Sequence, residues 1–244
     1  MKKILTLAAA LMIFGASASM AQGGLNLYWD GCSDGGASSK TFACNVNTGA
    51  AFNLYASMIL PADMPLFAAT SAIIDITFSG ATIPAWWQTV AGQCSANRVS
   101  ESYDSAQFTT NCPDIWQGAI NLSVFQAQPA VPGHGPNTLR LNGGAAVPAG
   151  SELAQVADGT ELVVCKVSIG RTKTVGTGSC AGCNIGACLT LNECKAQQPA
   201  GVGDYTVTNP ATSNFATWQV GGPACPGATP AQNRTWGAVK NLYR

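Results

Sequence analysis

Apolar and polar residues alternate with a period of two in several short blocks of this chain, the period of half-buried β-strands. In block 52–60, Phe52, Leu54, Ala56, Met58 and Leu60 share one face, and Pro61 stops the run because it cannot donate to a central ladder. In block 73–79, Ile74, Ile76 and Phe78 face inward while Asp75 and Thr77 face outward. Block 160–169 is the strongest. Val163, Cys165, Val167 and Ile169 lie on one side, and Leu162 and Val164 make the other side apolar too, so both faces are expected to be at least partly buried. Leu25, Leu27 and Trp29 alternate with Asn26 and Tyr28, and in block 118–126 Ile120, Leu122 and Val124 alternate with Asn121 and Ser123. A further strand begins at Leu139 and Leu141, and others are read at 188–192, 205–208 and 215–220.

Glycine- and proline-rich loops separate these blocks, and no 3.6-residue period is sustained outside the first residues. The expected fold is all-β: an antiparallel β-sandwich of about nine to eleven short strands, stapled by disulfides, with little helix. Residues 143–150, rich in Gly and Ala, read as the best place for a hinge or boundary.

Residues 1–21 change the picture. Lys2 and Lys3 precede an apolar run from Ile4 to Gly15 and then small residues, the layout of a signal peptide with cleavage expected after Ala21. The expectation is export through the Sec pathway to the medium, the cell surface or the periplasm. Residues 22–244 then form one secreted domain with a cysteine-rich segment at 165–225, and no transmembrane segment remains. The tail at 236–244 places Trp236, Val239, Leu242 and Tyr243 at roughly helical spacing, and is expected to dock as a short helix or an edge strand.

Ten cysteines in an exported chain read as up to five disulfides: Cys32, Cys44, Cys94, Cys112, Cys165, Cys180, Cys183, Cys188, Cys194 and Cys225. Four of them fall within 180–194. Their spacing fits neither a zinc finger nor paired zinc knuckles, and the surrounding glycines are poor material for the helix a redox C-x-x-C requires. That stretch is therefore read as a disulfide knot, with Cys165 and Cys225 as outside partners. Nearest-neighbour spacing suggests the pairs Cys32–Cys44 and Cys94–Cys112.

Charged residues make up 10% of the sequence. The basic ones are scattered singly, which argues against nucleic acid and anionic membrane as partners. Asp30 and Asp34, in a Gly-rich loop, are a weak calcium candidate lacking the rest of a calcium-loop pattern. Trp86, Trp87 and Tyr103 are candidate sugar-stacking rings, weighed against burial in the core. Trp29, Trp116, Trp218 and Trp236 carry the same ambiguity. His134, the only histidine, sits in a Pro/Gly loop and is expected to be solvated, not catalytic. There is no G-x-S-x-G elbow, no phosphate-binding glycine loop and no cofactor signature. A carboxylate pair of the glycosidase kind is not nominated by any spacing.

The alternation of blocks 52–60, 73–78 and 160–169, with glycine- and proline-rich loops between, resembles cohesin-like and immunoglobulin-like secreted bacterial modules over residues 45–195. The resemblance implies a sandwich; it has no diagnostic motif and transfers no functional residue. The expected function is non-catalytic: extracellular binding, adhesion or surface structure, with an extracellular protein or polysaccharide as partner. A carbohydrate-binding module using exposed aromatics and a glycoside hydrolase are the alternatives. Self-association through an unpaired strand edge is a further possibility.

Overall fold

The computed structural model describes residues 23–32, 35–103, 108, 112, 116, 119, 122–129, 131–219 and 225. The leader, Asp34 and the tail at 236–244 lie outside the described residues. In chain order the strands are β1 Gly24–Trp29, β2 Ser39–Lys40, β3 Phe52–Ile59, β4 Ala69–Phe78, β5 Val99–Ser102, β6 Leu122–Pro129, β7 Thr138–Ala146, β8 Glu161–Ile169, β9 Ala187–Gln197, β10 Tyr205–Val207 and β11 Phe215–Trp218. One 3-10 turn, Ala85–Trp87, interrupts them. No helix among the described residues is long and apolar enough to cross a membrane.

The strands form two sheets. The smaller has the order β1-β3-β8-β5; the larger runs β2-β11-β9-β4-β7-β6, with β10 beside β9. All pairings are antiparallel except β2 with β11. The expected all-β, disulfide-stapled sandwich is thus the architecture observed. Phe52, Leu54, Ala56 and Met58 of β3 and Ile74, Ile76 and Phe78 of β4 are buried in one core between the sheets. On β8 both sides are buried as expected, but the faces differ from simple alternation: a bulge opposite Ala56 and Ser57 leaves Leu162 and Val164 in the core with Cys165, Val167 and Ile169, and turns Val163 into a small cluster with Cys32, Tyr55 and Cys112.

At one end of the sandwich, Trp29, Trp86, Trp87 and Trp218 pack with Phe42, Phe52 and Phe78, their ring centroids 4.3–5.9 Å apart. Three of the indole N–H groups find acceptors: Trp29 in Thr217 O, Trp86 in Thr174 Oγ1 and Trp218 in Cys183 O. Arg98 lies over the Trp86 ring, 4.0 Å from its centroid.

The disulfides correct the expected pairing. Cys32 bonds to Cys112, Cys44 to Cys183, Cys94 to Cys180 and Cys188 to Cys225, while Cys165 and Cys194 are buried free thiols. The pairs Cys32–Cys44 and Cys94–Cys112 do not form, and Cys165 is not a partner of the knot. The reason is tertiary. Gln219 Nε2, just after β11, donates to Phe42 O and Cys183 O, drawing the Cys44 and Cys183 segments together. Likewise Trp86 N donates to Ala181 O and Lys173 Nζ to Cys94 O, which places Cys94 beside Cys180. The segment 180–194 is therefore a hub of staples to distant strands instead of a self-contained knot. Three of the four bridges join residues 80, 86 and 139 apart in sequence. In the chain-entropy picture loops of that length contribute roughly 4–5 kcal/mol each.

Two other expectations change. Of the strand expected over 118–126, Ile120 and Asn121 lie outside the described residues; residues 122–126 are in β6, which runs on to Pro129, and its inward side chains are Phe125 and Ala127, leaving Leu122 and Val124 exposed. Both faces of this strand are apolar, and the bulkier Phe125 takes the core side. The Gly/Ala stretch expected to be a hinge is instead the second half of β7, paired on both sides with β4 and β6. Its glycines admit close neighbours. A Cβ at Gly143 would overlap Glu101 Oε2 and Tyr103 Oη, and one at Gly144 would press on Thr70 O.

Candidate functional site

Successive strand residues point to opposite faces, so register decides which side chains share the outer face of the larger sheet. Leu122, Ala146, Ala69 and Gln197 stand in one row across β6, β7, β4 and β9. Val124, Gly144, Ser71 and Lys195 form the next, followed by Gln126, Asn142, Ile73 and Glu193, and then by Gln128, Arg140, Asp75 and Thr190.

The first two rows make an apolar trough. Ala69, Ser71, Gly144 and Ala146 are short and leave a cleft of about 570 Å³, lined also by Leu122, Val124 and Gln197. Leu122 is 61% and Val124 64% exposed, more than any other large apolar side chain described. No carboxylate lines the cleft among the described residues.

The fourth row is a polar cluster around Asp75. Arg140 donates from Nε to Asp75 Oδ1 at 2.7 Å and from Nη2 to Oδ2 at 2.8 Å, a two-pronged charge-assisted pair. Asn192 Nδ2 donates to the same Oδ2 at 2.8 Å. The hydrogen bonds to Asp75, with its charge, raise the Arg140 guanidinium further above its ordinary pKa, against a smaller opposing effect of burial. His134 folds over this pair from the β6–β7 connection. Its Nε2 lies 2.9 Å from Arg140 Nη2, and its Nδ1 lies 3.5 Å from Asp75 Oδ2. A guanidinium only donates, so Nε2 is the acceptor and the Nδ1 hydrogen faces the carboxylate. The histidine expected to be free in solvent is held by an ion pair.

A second cluster lies inside the sandwich. Glu101, Tyr103, Cys165 and Cys194 interact electrostatically in the core, beneath the gap left by Gly143. Tyr103 Oη donates to Glu101 Oε2 at 2.5 Å, while Glu101 Oε1 is buried without a partner. Burial pushes the Glu101 carboxyl up to about 7, with the Tyr103 hydrogen bond pulling the other way. Burial likewise raises Tyr103, Cys165 and Cys194 above their usual ranges. Thiols held protonated and fully buried are poor nucleophiles and poor metal ligands.

Three residues expected as sugar-stacking rings do not form a platform. Trp86 and Trp87 are completely buried and Tyr103 is 3% exposed, so none presents a flat face to a ligand. The disulfide cage and the apposed sheets enclose them. Of the two calcium-candidate carboxylates, Asp30 is paired with Lys40, and Asp34 lies outside the described residues. No group of three or more His, Cys, Asp or Glu side chains among the described residues is arranged to hold a metal ion.

The trough was not foreseen, because its floor is defined by small residues that come together only through register. The Asp75–Arg140 pair did leave a trace in the sequence: both are outward, charged positions in otherwise apolar alternating blocks.

No family model and no curated protein matches the chain. Among solved structures it is similar to a cohesin module from a family 33 glycoside hydrolase of Clostridium perfringens, at 10% identity and a TM-score of 0.35. That match covers 82% of this chain and 98% of the module. It is also similar to a membrane-anchored protein from Corynebacterium diphtheriae, at 11% identity and a TM-score of 0.30. Here 87% of this chain is covered, but only 38% of the other. The resemblance to cohesin-like modules is weak.

Proposed function

We propose that this chain is a non-catalytic binding module, secreted or held at the cell surface, that grips an extracellular protein through the outer face of its larger sheet. The observation that supports this reading most directly is the trough. Leu122 and Val124 stand exposed over a floor of Ala and Gly, beside charges already satisfied by one another. An exposed apolar patch rimmed by polar groups is the usual surface of a protein–protein contact. Four disulfides among the described residues support an oxidising compartment.

Catalysis is disfavoured on chemical grounds. The single histidine has one ring nitrogen accepting from Arg140 and the other turned to Asp75, so neither is aimed at a nucleophile. The trough has no carboxylate to supply a glycosidase acid pair.

The test immobilises the oxidised protein and compares retention of proteins from the extracellular fraction of a culture producing it. Val124→Asp alters the trough, and Val202→Asp alters an exposed valine elsewhere as a control. A partner retained by wild type and Val202→Asp, but weakened about tenfold by Val124→Asp, is the expected result. Equal retention by all three removes the trough from function. Retardation of the wild-type protein in gels containing soluble polysaccharide, with no protein partner retained, replaces the reading with carbohydrate binding.

A further inference from the structure

The geometry points to a second copy of this chain as the partner of β6, joined to it by antiparallel pairing of the two strand edges about a two-fold axis at Phe125. β6 is an outer strand of the larger sheet, with β7 on one side and no strand among the described residues on the other. Among the described residues, no hydrogen bond reaches its backbone from anything but β7. Sheet edges are usually shortened, covered, bulged or charged, because a bare one accepts another strand. The other edges follow that rule. Residues 209–213 cover β1, with Leu25 N, Leu27 N and Ala211 N all bonded across that border. β2, β10 and β5 are two, three and four residues long. β6 has eight residues, no charged side chain and no break in its register, and its proline, Pro129, stands only at the end.

The direction of the backbone groups fixes how two such edges fit. Val124 O faces β7, since it lies 2.8 Å from where a Cβ on Gly143 would stand. Backbone directions alternate along a strand, so Ser123, Phe125 and Ala127 turn their N–H and C=O groups to the open side. These three positions are symmetric about Phe125. An antiparallel copy centred there sets Phe125 opposite its counterpart and Ser123 opposite Ala127, and each pair exchanges two N–H···O=C bonds. Centring the axis on Val124 instead leaves Ala127 without a partner in β6. Side chains directly opposite share a face. On the outer face Val124 therefore meets Gln126 of the second copy and Leu122 meets its Gln128, with no like charges brought together.

The added strand lies in the plane of the sheet, beyond Leu122 and Val124, whereas the trough lies on their other side, over β7 and β4. Pairing therefore leaves both troughs open and sets them on one face of a continuous sheet. The contact is isologous and uses the one long bare edge among the described residues, so association stops at two copies. The inference goes beyond the proposed binding function and does not depend on it: a module whose trough binds nothing still pairs in this way.

The test uses the full-length oxidised protein alone. Sedimentation from about 1 μM to 1 mM is expected to show a monomer–dimer equilibrium. Residue-resolved amide exchange over the same range reads the edge. Val124 and Gln126 are expected to be protected by β7 at every concentration. Ser123, Phe125 and Ala127 are expected to slow by at least about tenfold, and only as dimer forms. Ser123→Pro removes an outward N–H and none of the β7 ladder, and is expected to weaken the dimer at least about tenfold with the thermal midpoint little changed. A monomer throughout the range overturns the inference. So does a dimer in which those three amides exchange as fast as in the monomer, because its contact lies elsewhere; that measurement needs no variant to fold. Dimerisation of Ser123→Pro as tight as that of wild type also overturns it. Protection of the three amides that appears only when a retained extracellular protein is added assigns the edge to that partner instead of a second copy.

Discussion

A glutamate buried in the core makes the stability of this sandwich depend on pH, and Glu101→Gln isolates the effect. Glu101 lies on β5 with one carboxyl oxygen bonded to Tyr103 Oη at 2.5 Å and the other buried without a partner. Burial lifts its pKa from 4.5 to about 7. The folded carboxyl therefore keeps its proton at pH values where the unfolded chain has released it. Stability is greatest, as far as this group is concerned, below about 4.5. It falls as pH rises toward 7, and above that the full penalty applies. The difference between the two pKa values corresponds to roughly 3 kcal/mol. Glutamine has almost the same shape, cannot ionise, and its oxygen still accepts from Tyr103. Its amide group takes the unpartnered position, at a constant cost of about 1 kcal/mol. Urea unfolding with the disulfides intact, at intervals from pH 4.5 to 8, provides the measurement. Glu101→Gln is expected to be slightly less stable than wild type at pH 4.5 and more stable by about 2 kcal/mol at pH 8. A stability difference that stays constant across this range refutes the assignment of Glu101 as a buried, neutral acid.

Alkylation of the denatured, unreduced protein is expected to label two cysteines, Cys165 and Cys194; labelling of none, by intact mass, shows that they are bridged. The native protein is expected to show neither labelled, since both thiols are completely buried. Gly143→Ala forces a methyl group against Glu101 Oε2 and Tyr103 Oη and is expected to cost about 1–3 kcal/mol, read as a lowered thermal midpoint. An unchanged midpoint shows that the two side chains move aside freely. Asp75→Asn leaves Arg140 without its carboxylate and is expected to lower stability by about 1–3 kcal/mol, with the largest rise in hydrogen exchange in the segment around His134.

Strand alternation carried most of the fold. The inward faces of β3 and β4 follow from 52–60 and 73–78, because a strand with one core face leaves a period of two in the sequence, whereas on β8 a bulge between Val163 and Cys165 exchanges Val163 for Leu162 and Val164 on the core side. The parity failed at β6, where Leu122 and Val124 compete with Phe125 for the core and local pattern has no means to choose. Gly143 and Gly144 read as a loop because sequence shows only the missing side chain, while the structure shows the Glu101–Tyr103 pair that needs the space. Cysteine pairing was illegible for the same reason. Cys44 and Cys183 meet because β2 pairs with β11, a contact between opposite ends of the chain. The trough could not be read from any one segment, since its floor combines β4 and β7 and its wall belongs to β6.

The disulfide pattern also sets an order of assembly. A chain emerging from its N-terminus presents Cys32, Cys44, Cys94 and Cys112 to an oxidant long before 180–194 appears. Among those four, only Cys32 and Cys112 are native partners; Cys44 and Cys94 must wait for Cys183 and Cys180. Oxidation that simply joins each thiol to the next one out traps Cys32 with Cys44 and Cys94 with Cys112. Any such early pair would have to be reopened by thiol exchange before Cys183 and Cys180 could take their native partners, so this connectivity penalises oxidation that runs ahead of folding.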